Sequence, residues 1–160
     1  MKPVYQTTHG AGIGNCMAAC IASILECDVE SVPNFCARWH YWQAAMNDWL
    51  RGYFGLSLVT ISWPPSEMLT AFPRGGYVIL SGKSPRFDCS HAVVGRIRLE
   101  DGQAVVVHDP HPSGDGLETI KECDYFVQLW PGHMRTPCTL PDPEQWQPGE
   151  AFRLRKAVGE

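Results

Sequence analysis

A chain of 160 residues that is 44% hydrophobic and 19% charged has room for one domain with a sizeable core and is too apolar for disorder. Its net charge of −4 supplies no basic face for nucleic acid, and no segment approaches the roughly 18 apolar residues that span a bilayer. Seven cysteines, an odd number without a Cys-x-x-Cys pair, speak against a disulfide framework or a zinc ribbon.

The first residues, Met1-Lys-Pro-Val-Tyr-Gln6, lack the apolar stretch of a signal peptide, so the expected compartment is the cytoplasm, with the thiols reduced. Next comes Gly10-Ala-Gly-Ile-Gly-Asn15 and then a helix expected over Cys16 to Cys27, where Met17, Cys20, Ile21, Ile24 and Leu25 recur at the spacing of one buried stripe. Cys16 opens this helix, where unpaired N–H groups and the macrodipole favour thiolate. Cys20 lies inside the stripe, and Cys27 lies roughly 16 Å along the axis from Cys16. The glycine run lacks the Lys-Ser/Thr of a phosphate loop and does not fit the dinucleotide fingerprint. It reads as a flexible loop giving access to Cys16, with Asn15 as the helix cap.

Val32-Pro33-Asn34 reads as a turn, followed by a second helix over 35–51 with Trp39, Trp42, Met46, Trp49 and Leu50 on one face. That stripe reads first as core and second as a peptide-binding wall. Strands follow at 56–63, 76–80, 92–99, 104–108 and 124–130, with a short helix at 66–72. Asp101-Gly102 is a hairpin turn, so 92–99 should pair with 104–108. The prolines at 137, 141, 143 and 148 mark an irregular tail over 136–160, which leaves 1–135 as the domain.

The hairpin brings Ser90-His91 at one end towards His108-Asp109-Pro110 at the other. An imidazole beside a thiol takes its proton during attack and returns it to the leaving group, and a carboxylate fixes the imidazole tautomer. Cys16, His91 and Asp109 are therefore the candidate nucleophile, base and orienting acid. Reflection about the turn sets His91 opposite 111–113, so Asp109 needs a bulge or twist to reach it. The Cys16 N–H is a natural oxyanion donor, with the Gln6 side chain or Asn15 as a second. Taken singly, a helix-start cysteine is more often inert and Asp-Pro is first of all a turn; the combination in this order is what points to catalysis. A metal site drawing on Cys89, His91, His108 and His111 is the chemical rival, but its spacing matches no common zinc motif, and neither a metal nor another cofactor is expected.

Gln6, Gly14-Asn-Cys16, the helix through Leu25, Val32-Pro-Asn-Phe35, His91-Ala-Val-Val94 and His108-Asp-Pro110 together resemble the papain-like cysteine peptidases, closest to their C39-like branch. The Gly-Asn-Cys and Val-Pro-x-Phe pieces are also similar to small phage or prophage proteins, which would put the protein in a host cytoplasm. The resemblance implies an α+β, papain-like fold in which a nucleophile helix and helical subdomain pack on an antiparallel sheet. It also implies a Cys16-His91-Asp109 triad with Gln6 in the oxyanion hole. The expected activity is a thiol hydrolase cleaving a peptide or isopeptide bond in a protein or peptide substrate. Glutamine deamidation and transglutaminase-type acyl transfer use the same triad. A catalytically silent papain-like module that binds or inhibits a host protein is the alternative from another class.

Overall fold

The computed structural model describes residues 1–62 and 75–128. Trp63, the helix expected at 66–72, the strand end at 129–130, the domain boundary at 135 and the tail over 136–160 lie outside the described residues. Chain order runs α1 (Cys16–Leu25), a single 3-10 turn (Val29–Ser31), α2 (Phe35–Arg38) and α3 (Trp42–Phe54). Five strands follow: β1 (Leu56–Ser62), β2 (Tyr77–Lys83), β3 (Ser90–Ile97), β4 (Ala104–His108) and β5 (Thr119–Gln128). They form one antiparallel sheet in the order β1-β5-β2-β3-β4, so the helices and sheet are segregated as α+β.

The stripe read in the first helix is its buried face: Met17, Cys20 and Ile21 are buried in the core shared with the sheet. The helix stops at Leu25, two residues short of Cys27, because Glu26 turns left-handed (φ 59°) and closes its N–H on the Ala22 carbonyl. The second helix is not continuous. Trp39 is extended (φ −131°, ψ 135°), packs on Phe35 with ring centroids 5.7 Å apart and lies 4.9 Å from the Arg38 guanidinium carbon. Three successive aromatics at 39–41 are weak helix formers, and packing of the Trp39 ring on Phe35 accompanies the break. Helix α3 restarts at Trp42, buries Ala45, Met46, Trp49, Leu50 and Phe54, and runs three residues past Arg51 to a left-handed Gly55 (φ 64°).

Alternation divides the sheet. Leu58, Ile79, Ala92 and Val94 join the core under the helices, while Val78, Leu80, Val93, Ile97 and Cys123 form a second cluster. At the β1 edge, Asn47 of α3 accepts the Leu58 N–H at 2.6 Å and donates to the Leu58 carbonyl at 3.1 Å, which satisfies strand backbone that no further strand covers among the described residues.

Two strands run longer than their sequence suggests. Ser81-Gly82-Lys83 looks like loop, yet it continues β2 because β3 and β5 flank it and take up its backbone groups. The ladder to β5 shifts at Ser81/Gly82, where a Cβ on Gly82 would sit 1.7 Å from the Thr119 carbonyl oxygen. Only glycine permits that approach, and its partner on the other side is His91. Strand β5 starts at Thr119, five residues before the expected 124. Among the described residues no helix is long and apolar enough to cross a membrane.

Candidate active site

Helix α1 carries Cys16 to the start of β3, the strand it packs against. The helix cap prepares the site in an unexpected way. Asn15 makes no side-chain cap; its Oδ1 accepts the N–H groups of Thr7 and Thr8 at 3.1 and 3.0 Å, and its Nδ2 donates to Thr7 Oγ1 at 3.1 Å. The first-turn N–H groups are thereby left open, and those of Cys16 and Met17 point at the thiol, joined by the N–H of Ala92 from β3. These donors favour thiolate, but burial is the larger effect and the neighbouring Cys89 adds to it, so the thiol titrates above its ordinary value of 9.0. The expectation that the helix start alone holds Cys16 as thiolate is therefore corrected: desolvation outweighs the dipole, and deprotonation needs a base.

That base shares the cleft. Cys16 and His91 both line a hollow of about 430 Å³ whose remaining walls include the glycine turn at 10–14, Met17, Trp42 and the Ser81–Gly82 backbone. His91 is buried, and its Nε2 meets Asp109 Oδ1 at 2.7 Å. Nδ1 is thus the nitrogen left for the thiol proton. No hydrogen bond joins Sγ to the ring among the described residues, and such contacts commonly tighten only when substrate arrives. Burial holds the imidazole below its ordinary 6.5, against the pull of Asp109 and with help from the Arg86 charge, so the ring is a neutral proton acceptor at neutral pH.

A bulge in the hairpin decides which face Asp109 takes. Val94 pairs with His108 but Gly95 pairs with Val106, which inserts one residue into β4; continued to His91, that register sets residue 111 opposite it and Asp109 two residues away on the same face, within reach of the ring. The carboxylate is saturated: Oδ1 also accepts the His111 N–H at 2.8 Å, and Oδ2 accepts the Gly116 N–H at 2.8 Å and Arg86 Nη1 at 3.2 Å. Burial alone would raise this carboxyl, yet the bonds from His91, His111 and Gly116 hold it below 3.8. It stays ionised, as an orienting group must.

No family model matches the chain, and no curated protein or solved structure is significantly similar to it. The site is therefore read from its own geometry.

Gln6 is buried beside the triad but is differently engaged from the oxyanion role expected of it. Its N–H donates to the Pro110 carbonyl at 3.0 Å, while Nε2 contacts the Thr8 carbonyl at 3.2 Å and His9 Nδ1 at 2.8 Å. One amide hydrogen is thus donated to Thr8, and the amide nitrogen is also held against the His9 ring. The donors gathered around Sγ are instead backbone groups: Cys16, Met17 and Ala92.

Two of the rival metal ligands, His108 and His111, are engaged by other partners. His108 Nε2 binds the Val4 carbonyl at 2.8 Å and its ring packs edge-on against Tyr5, while His111 Nδ1 pairs with Ser113 Oγ at 2.8 Å. Among the described residues no three His, Cys, Asp or Glu side chains gather as metal ligands. The glycine segment is a closed turn, Gly14 N–H to Gly10 carbonyl at 2.9 Å, tied to α2 by Asn34 Nδ2 on the Ile13 carbonyl at 3.0 Å.

Trp42, on the stripe that reads second as a peptide-binding wall, lines the cleft. Three site residues escape sequence reasoning. Cys36 reaches the cleft from α2, and the Ala92 N–H is a backbone group with no side-chain signal. Arg86 sits in a loop, and its destination depends on tertiary contacts. Cys89, two residues before His91, lines the cleft as well.

Proposed function

We propose that the protein is a papain-like thiol hydrolase that cleaves an amide bond through an acyl-enzyme on Cys16. The observation that carries this reading is the 2.7 Å His91–Asp109 bond in a cleft lined by both His91 and the helix-start Cys16. The chain order of nucleophile helix, further helices and antiparallel sheet supports the papain-like arrangement.

In this mechanism Sγ attacks the amide carbon as its proton passes to His91 Nδ1. The carbonyl electrons move to oxygen, and the N–H groups of Cys16 and Met17 at the α1 start are the donors nearest the developing charge. The imidazolium is stabilised through Nε2–H by ionised Asp109, then gives its proton to the leaving nitrogen as the C–N bond breaks. Water adds to the thioester with His91 again as base, which releases a carboxylate and restores the thiol. The same thioester from a glutamine side chain gives deamidation with water or a cross-link with an amine, so the product mass distinguishes these outcomes.

The test is acylation by p-nitrophenyl acetate, followed by nitrophenol release and peptide mapping. The proposal expects a burst, one acetyl group on Cys16, no adduct in C16A and slow acylation in H91A. Acetylation spread over several thiols, or none on Cys16, would overturn it and favour a binding role.

A further inference from the structure

Asp109 is held from a direction that the triad does not require. Arg86, in the loop between β2 and β3, extends its guanidinium to the β4–β5 connection, where Nη1 meets Asp109 Oδ2 at 3.2 Å, Ser113 Oγ at 3.0 Å and Asp115 Oδ2 at 3.4 Å. The loop behind it is fixed: Ser84 Oγ accepts the Arg86 N–H at 3.2 Å and the Ser84 N–H binds the Cys89 carbonyl at 3.0 Å. The side chain is only 12% exposed, against 50% for Asp115, and its Nε is buried without a hydrogen-bond partner. Burying a guanidinium with an unsatisfied N–H is costly, and fold stability alone would favour an apolar residue there. Such exceptions to polar satisfaction call for a specific reason.

The carboxylate geometry supplies one. Without Arg86, Oδ2 would keep only the Gly116 N–H, and the carboxylate could rotate Oδ1 away from the imidazole. With it, both oxygens are held by two donors each, so Oδ1 stays directed at Nε2. We infer that Arg86 is a positioning residue that locks the Asp109 carboxylate and, through it, the His91 ring. Its catalytic meaning rests on the hydrolase reading, whereas the lock itself does not. Asp115 and Ser113 complete the clamp by steering the guanidinium.

The test follows the His91 Nε2 proton by heteronuclear NMR on the full chain. In the wild type this proton resonates downfield and exchanges slowly with water. In R86M its exchange accelerates about tenfold or more, as expected for losing a hydrogen bond to a charged group, while circular dichroism stays unchanged. R86K, which keeps the cation without the fork, falls between R86M and wild type. S113A, which removes a steering contact but no donor to Asp109, accelerates exchange far less than R86M. R86Q replaces R86M if that variant does not fold. Unchanged exchange on loss of Arg86 would overturn the inference, as would equal acceleration in S113A. Iodoacetamide labelling of the same samples separates the two claims. Wild-type Cys16 no more reactive than Cys36 removes the hydrolase reading and leaves the Arg86 lock standing; unchanged exchange beside a reactive Cys16 removes the lock alone.

Discussion

His91 and Asp109 lie 18 residues apart in sequence, and their side chains meet at 2.7 Å across the β3–β4 hairpin, where one bulged residue in β4 sets Asp109 on the face of His91. A carboxylate with four donors holds the ring in place and, in the proposed mechanism, stabilises the imidazolium. D109N should fold and acylate Cys16 about 100-fold more slowly, since the general base loses its orienting partner. D109A should in addition lose about 3 kcal/mol of stability, because Arg86 and two N–H groups are left without their buried acceptor. Chemical denaturation beside acylation kinetics checks both; equal acylation rates in D109N and wild type would contradict the orienting role.

Gly82 tests the frame that holds His91. A Cβ there would enter the Thr119 carbonyl, a backbone atom that cannot swing aside. G82A should cost about 1–3 kcal/mol in denaturant unfolding. It should also slow Cys16 acylation, because β2 carries His91 as its direct partner. A neutral substitution would mean that the β2–β5 bulge is not under steric control.

Asp124, buried in β5, has its carboxyl pushed up to about 6, first by burial and further by Glu122, against the hydrogen bond from Thr60. Its unfolded value is 3.8, so the folded protein binds the proton more tightly and stability falls as pH rises from 3.8 through 6. The ionised side chain costs up to about 3 kcal/mol at neutral pH. D124N removes that titration while leaving an acceptor for Thr60. The stability of D124N relative to wild type should therefore improve with rising pH across that window. A constant difference between pH 4 and pH 7 would contradict the assignment.

Much of the site is legible in the sequence because its signals are local. A glycine run before an apolar stripe marks Cys16, a strand with the continuous apolar run Ala92-Val-Val marks His91, and an Asp-Pro after a hairpin marks Asp109. What escapes is decided by packing across distance. The one-residue shift opposite Gly95 has no signal within β4 itself, and Arg86 reaches its carboxylate across 23 residues of chain. Desolvation at Cys16 depends on the sheet pressed against α1, so the helix dipole alone points the wrong way. Asn15 looks like a cap but ties down Thr7 and Thr8, and Gln6 finds partners in Thr8 and His9. The fold class follows from periodicity, whereas the break at Trp39 and the length of β2 follow from what neighbouring elements offer.

The central claim is that His91 activates a thiol that burial would otherwise keep protonated. The most direct measurement is the rate of Cys16 alkylation by iodoacetamide against pH, mapped by mass spectrometry in wild type and H91A. Cys16 titrates above 9.0 by itself and His91 below 6.5. The wild type should therefore gain reactivity with rising pH through a step below 6.5, as the ring becomes a free base. H91A should lose that step and react only as pH climbs past 9.0. Coincident profiles, or labelling shared equally among Cys16, Cys36 and Cys89, would contradict it.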